Sequence, residues 1–348
     1  MLTTTQSAAQ ITTKDLARVA GVSLATVDRV LNDRPNVSRK ARGAVDRAIA
    51  ETGFVRNSAA ASLARNRVHR IRFMLPADGG AYLDTVLKEI EATARAVRQD
   101  MTLVDVERID MRDPHAIADR LSQVTDQDVH GLAIMAPQSP QVRDAVARLD
   151  GRGVRSVQFL NGESRSAGHE FVGADNFAAG ATAARIVGSF LRGVTGAVSV
   201  IADTMRSPDS VERRLGFDRV MHAHFPALTV LPSVETRGDA ERADAAIGAV
   251  MRQRRDIVGV YVIGAEAAVP LAAVAAHGSL DELTAVAHER TAFTEEALRS
   301  GRLDAVIAQD PGHAVRSATR ILRARLDNRE PIAAQERIRN EVLFAENL

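Results

Sequence analysis

The stretch Thr12-Thr13-Lys14-Asp15-Leu16-Ala17-Arg18-Val19-Ala20-Gly21-Val22-Ser23-Leu24-Ala25-Thr26-Val27-Asp28-Arg29-Val30-Leu31-Asn32 contains two helix starts separated by one glycine turn. At the first start the Thr12 hydroxyl can accept a backbone hydrogen bond. Asp15 places negative charge where a helix N-terminus favours it, and Leu16, Val19 and Ala20 form a short apolar stripe. Ala20-Gly21-Val22 supplies the turn, Ser23 is a second N-cap, and Val27, Val30 and Leu31 share one face of the next helix. Two short helices joined in this way make a helix-turn-helix, whose second helix fits a major groove. That helix presents Leu24, Ala25, Asp28 and Arg29 outward, and of these Arg29 alone can pair with two acceptors on a guanine edge. Beyond a loop at 32–36, Ser38 caps a third helix with Ala41, Val45, Ala48 and Ile49 at helical spacing, and Gly53 ends it. On spacing alone, a three-helix bundle that binds protein, or nothing, fits the same residues.

In order and spacing this stretch resembles the head of the LacI/GalR family of bacterial transcription regulators. The likeness continues through Val37-Ser38, Arg42, Val45, Ala48-Ile49, Gly53-Phe54 and Asn57, then Ala60 and Leu63. The resemblance implies a homodimer on a pseudo-palindromic double-stranded operator. It implies contacts from Thr12, Ser23, Leu24, Ala25, Thr26, Asp28, Arg29, Asn32, Ser38, Arg42, Asn57, Ala60 and Leu63. It further implies that residues 57–64 become a hinge helix only on operator DNA, with Leu63 wedged into the minor groove, where an apolar side chain unstacks a base step. Asp28 stands where the family usually has Ser, and Arg56 where it has Pro. Leu24 and Ala25 suit apolar contact with a thymine methyl.

At 348 residues a single core is not expected, and the net charge of +1 is unevenly spread. Residues 1–70 hold twelve basic against five acidic side chains, a net +7, which leaves −6 for the remainder. A basic end on an acidic body is the footprint of phosphate contact confined to that end. Cysteine is absent, so neither a disulfide framework nor a thiolate metal site can form. Met1 to Gln10 is polar, reads as a frayed tail without a signal peptide, and no apolar run approaches a membrane span; a cytoplasmic location is expected.

From Val68 onward strand-like and helix-like segments alternate. Strands are expected at 71–76, 102–107, 131–136 and 154–160, with helices at 83–99, 114–124 and 140–150 between them. A second set has helices at 178–191, 210–224, 240–253 and 265–276 among strands at 197–202, 229–234, 259–263 and 283–287. A helix at 294–300, a strand at 304–308, a long helix at 313–326 and an apolar alternation at 336–344 close the chain. The fold class is α/β: a small all-α head joined by a hinge helix to two doubly wound lobes of parallel sheet, with a ligand cleft at the strands' carboxyl ends. The body resembles the ribose-binding-like branch of the periplasmic-binding-protein fold. That likeness sets the expected divisions: tail 1–10, head 11–56, hinge 57–68 and effector body 69–348. Lobe 1 is expected over 69–173 and 303–329, lobe 2 over 174–290, and crossovers near 172–176, 288–294 and 328–334.

The same resemblance assigns a sugar, polyol or sugar phosphate to contacts from Asp175, Asn176, Arg213, His288, Glu289 and Gln309. Asn161 and Glu266 fall where ribose binders carry an Asp-Arg pair and an Asn-Asp pair, so a plain ribose or galactose site is not implied. Carboxylates accept from hydroxyls while Arg and amides donate to them, and Tyr82 could cover a sugar ring. Asp175 and Asn176 read equally well as caps, Arg214 competes with Arg213, and Tyr82 fits ordinary packing. No nucleophile elbow, phosphate-cradling loop or dinucleotide fingerprint is present, and His288-Glu289-Arg290-Thr291-Ala292 lacks the second His of a zinc-protease motif. The reading is of a regulator that is not an enzyme and uses neither cofactor nor metal. A sugar sensor acting through protein contacts and a sugar-processing enzyme are the rival classes.

Overall fold

The computed structural model describes residues 11–31, 37–54, 68–137, 139–162 and 171–348. The chain divides into two compact units, 1–67 and 68–348. In the first, α1 (Thr13–Ala20), α2 (Leu24–Leu31) and α3 (Arg39–Thr52) enclose a small core of Leu16, Ala17, Val27, Val30, Val45 and Ala48. Thr12 and Asp15 form a reciprocal capping box at α1, and Gly21 ends that helix with φ +63°, a left-handed conformation that costs a glycine nothing. Ser38 caps α3, and Gly53 closes it in the same left-handed form. Asn32, Asn57, Ala60, Leu63, the expected hinge and the N-terminal tail lie outside the described residues.

The larger unit holds two sheets. The first contains β1 (His69–Pro76), β2 (Thr102–Ile109), β3 (Gly131–Ile134), β4 (Arg155–Phe159) and β5 (Phe171–Val172), all parallel, in the order β2-β1-β3-β4-β5. Its crossovers are α4 (Ala81–Val97), α5 (Pro114–Ser122) and α6 (Pro140–Gly151). Strand β3 is buried throughout, as parallel strands covered on both faces must be.

The second sheet is built from β6 (Gly196–Ala202), β7 (Leu228–Val230), β8 (Val234–Glu235), β9 (Ile257–Val262), β10 (Thr284–His288), β11 (Ala305–Ala308) and β12 (Glu341–Leu343). The order is β12-β11-β10-β9-β6-β7, with β8 also on β6, and only β12 runs antiparallel. Helices α7 (Asn176–Phe190), α8 (Pro208–His224), α9 (Ala240–Gln253), α10 (Ala268–His277) and α11 (Ala292–Arg299) belong to this lobe. Helices α7 and α8 approach backbone to backbone: a Cβ on Gly180 would overlap the Arg213 carbonyl oxygen, and one on Gly216 the Phe177 carbonyl oxygen.

Three expected features differ. The strand foreseen at 229–234 is two short pieces, because Pro232 between them has no N–H for a ladder. Strand β11 pairs with β10 in the second sheet, so 303–329 is not all lobe 1: the strand is in lobe 2, and α12 (Pro311–Leu326) is in lobe 1, where Ala314, Val315, Ala318, Ile321 and Leu322 enter the core. The segment at 288–294 therefore stays within lobe 2, joining β10 to α11. The second crossing falls at 309–310 instead. The third also comes later than 328–334: α13 (Ala333–Glu336) and Ile338 still pack on lobe 1, and the chain reaches the second sheet only after Asn340.

Candidate functional site

In the smaller unit the exposed face of α2 carries Leu24, Ala25, Asp28 and Arg29. Ser23 holds the start of that helix: its Oγ accepts from the Thr26 amide at 3.2 Å and lies 2.9 Å from the Thr26 hydroxyl. Thr12, Ser38 and Arg42 are exposed as well, Thr12 and Ser38 with their hydroxyl oxygens engaged as caps. Arg29 therefore stands on a rigid, capped helix and projects into solvent, the placement from which a guanidinium can reach a groove.

In the larger unit the polar groups gather where the chain crosses between lobes. Glu289 follows β10 with φ +61°, and its carboxylate accepts from Arg213 at 2.8 Å and from the side-chain and backbone amides of Gln309 at 3.3 Å each. Arg213, one turn into α8, also donates to Asn176 Oδ1 and to the Ile263 carbonyl, both at 2.9 Å. Gln309 Oε1 in turn accepts from the Ala174 amide at 3.0 Å, and Asn340 Nδ2 donates to the Asp175 carbonyl at 2.9 Å. Ala174 and Asp175 lie on the first crossing, Gln309 on the second and Asn340 on the third, so the three strands of the interlobe joint are pinned side by side.

The charged pair is nearly out of water, with side-chain exposures of 6% for Arg213 and 2% for Glu289. Burial pushes the Glu289 carboxyl up from its ordinary value, while Arg213 pulls it back. For Arg213 burial works against the charge, but Glu289 and Asp209 outweigh it and hold the guanidinium above its usual range. Such a pair persists in a dry site because each remaining polar edge finds a partner.

One further group lies against this cluster. Tyr82, near the start of α4 in lobe 1, is 6% exposed, and its hydroxyl, with the Gln309 side chain beside it, has no partner at full hydrogen-bond geometry. Burial first, then the Glu289 carboxylate, raises the Tyr82 phenol well above its ordinary value. Asn176 spends its oxygen on Arg213 and leaves Nδ2 unpartnered although the residue is 2% exposed. Asn161 Oδ1, after β4, is likewise buried without a partner. Beside the charged cluster, the Tyr82 hydroxyl and Asn176 Nδ2 would each carry a desolvation cost of roughly 1–3 kcal/mol unless water or a ligand meets them.

The remaining expected contacts are placed differently. Asp175 is exposed and caps α7, accepting from the Ala178 amide at 2.9 Å. His288 does not join Glu289 at the cleft. Its ring is buried within lobe 2, where Nε2 meets the Tyr261 hydroxyl at 2.7 Å, and Tyr261 stacks on Phe217 at 4.5 Å between ring centres. Consecutive residues near a strand end face opposite ways, and here the inward one is His288. Arg214 takes the surface role, bound to Asp218 and Ser233. Glu266 reaches across to lobe 1, accepting from the Tyr82 amide at 3.3 Å. Sequence reasoning missed Asn340 and the backbone acceptor at Ile263. Asn340 sits in an apolar alternation that gives no local sign of a long-range contact.

Comparison with known proteins accords with both units. The family described as periplasmic binding protein domain matches residues 71–330, and the family described as bacterial regulatory proteins, lacI family, matches residues 12–57. The HTH-type transcriptional regulator GalR of Salmonella typhimurium is 35% identical over 83 residues, 24% of this chain and 24% of its own length. The HTH-type transcriptional regulator AglR of Rhizobium meliloti is 31% identical over 180 residues, 50% of this chain and 48% of its own length. These alignments span from a quarter to about half of the curated relatives. A periplasmic solute binding protein of an ABC transporter from Actinobacillus succinogenes, with bound D-allose, superposes with a TM-score of 0.71 at 15% identity, covering 80% of this chain and 98% of that one. With a capped helix-turn-helix matched to the lacI family over residues 12–57, the chain belongs over residues 71–330, three quarters of its length, to the periplasmic binding protein domain family.

Proposed function

We propose that this chain is a sequence-specific DNA-binding transcription regulator, a repressor of carbohydrate uptake or catabolism genes, whose operator affinity is set by a sugar or polyol between the two lobes. The observation that carries the reading is the union on one chain of an exposed, capped recognition helix with a cleft whose buried polar atoms lack partners. Operator contacts are assigned to Thr12, Ser23, Leu24, Ala25, Thr26, Asp28, Arg29, Asn32, Ser38, Arg42, Asn57, Ala60 and Leu63. Effector contacts are assigned to Tyr82, Asn161, Asn176, Arg213, Glu289 and Gln309, with Glu266 at the mouth.

One reading head per chain suits a homodimer on a pseudo-palindromic site. No described helix is long and apolar enough to cross a membrane, and an operator-binding protein works in the cytoplasm. The relatives are named as regulators, which favours this reading over a sugar-processing enzyme or a sensor acting through protein contacts. A ligand shifts operator affinity only through its different affinity for two lobe arrangements, with coupling of about 1–3 kcal/mol.

The test is selection of duplex sites from a random pool by the purified chain at moderate salt, followed by titration of sugars and polyols against the selected site. A recovered palindrome whose affinity changes with one of these compounds supports the reading; no duplex preference with or without them defeats it.

A further inference from the structure

Resting on the reading of the larger unit as an effector domain, we propose that its cleft is selective for an uncharged, hydroxyl-rich molecule and that Glu266 enforces the choice by occupying the start of α4 from the opposite lobe. Two places in the cleft could hold an anion. One is Arg213, but its Nε, NH1 and NH2 already donate to Asn176, Ile263 and Glu289, and the Glu289 carboxylate cancels its charge. The other is the N-terminus of α4, a 17-residue helix whose N-cap is Gly80 and which makes no side-chain cap bond there. Helix N-termini attract negative charge through their free amides and their dipole.

Glu266 takes that position. Its Oε1 accepts from the Tyr82 amide, and its carboxylate lies where a Cβ on residue 80 would sit, so a side chain at Gly80 would displace it. Ala265 beside it packs on the apolar cluster of lobe 1, which seats the whole loop. Both anion-holding positions are thus filled by the chain's own carboxylates, and an incoming phosphate or carboxylate would meet like charge at each. Of the atoms left without full partners, the two beside this charged cluster are neutral: the Tyr82 hydroxyl and Asn176 Nδ2, both on residues more than nine-tenths buried. A ligand hydroxyl can accept from the amide and exchange a hydrogen bond with the phenol.

Tyr82 and Tyr261 are the two tyrosines of a chain without tryptophan, so in a Tyr261→Phe background Tyr82 alone reports on the cleft. The full chain in this background is titrated with inorganic phosphate against sodium chloride of matched ionic strength while tyrosine emission is followed. The expected result is no saturable phosphate response with Glu266 present, and a saturable one in Glu266→Gln and Glu266→Ala, with half-saturation at least tenfold below the highest phosphate concentration used. Phosphate held by the basic N-terminal segment is common to parent and variants and drops out of the comparison between them. Saturation with Glu266 in place, or none in either variant, overturns the proposal. The two-tyrosine chain, followed by total emission, gives the same comparison without the background substitution. In a second arm, neutral aldoses are compared with their phosphate esters, and an ester that binds more tightly than its parent sugar also overturns it. Loss of operator preference would defeat the regulator reading and leave these titrations intact, so the two failures are separable.

Discussion

Arg29 and Glu289 show what a single side chain contributes in each unit. Arg29 is exposed and sits on the outward face of α2, so Arg29→Ala should leave folding unchanged, cost about 1–3 kcal/mol of specific binding and relax selection at one base position. Base-by-base competition on the selected operator measures it, and uniform weakening at all positions would assign the residue to phosphate contact. Glu289→Ala strands a buried guanidinium, and a loss of about 3–5 kcal/mol in denaturant unfolding is expected. Protonation of His288 opposes folding. Burial, then the Arg213 charge, lowers its pKa well below 6.5, so below that pH the unfolded chain takes a proton the folded one refuses. Stability from this group is complete above about pH 6.5 and falls as pH drops, by at most about 1.4 kcal/mol per unit. His288→Gln should flatten that part of a pH series of unfolding midpoints; an unchanged slope would remove His288 as its source. The family resemblance made Arg213 and Gln309 legible, because its motifs fix their register. The inward turn of His288 was not legible, since adjacent residues at a strand end differ only in which way the backbone twists them.

Among the elements, those with strong local signals were the easiest to foresee. Helix α9 matches its expected bounds of 240–253, and three others begin two residues early because Asp175 and Asp310 act as caps and Pro208 and Pro311 occupy the first turn. Sheet membership was not foreseeable for β11, whose Ala305–Ala308 run is equally apolar in either lobe; the choice is made by pairing with β10 and β12. The contact of α7 with α8 gives a prediction at this scale. Gly180→Ala forces a methyl into the Arg213 carbonyl, so the helices must separate, with an expected cost of about 1–3 kcal/mol. Thermal unfolding checks the cost, and an unchanged midpoint would show that the helix pair can slide freely.

Across the whole chain, the division of charge sets how binding should respond to solution conditions. The basic surplus lies within residues 1–70 and the acidic surplus in the rest, so operator affinity should fall steeply with salt while effector affinity should change little. Titrations at about 50 and 200 mM salt, at constant effector, test this; equal salt slopes for the two ligands would place charge at both sites. The interlobe joint has a further consequence. Because Gly180 and Gly216 let α7 and α8 meet backbone to backbone, Asn176 and Arg213 enter the cleft as one preassembled part. A shift of the guanidinium must carry the amide with it, so any guest that tugs on one tugs on the first crossing too. A ligand contact made there and the mechanical linkage would then be the same object.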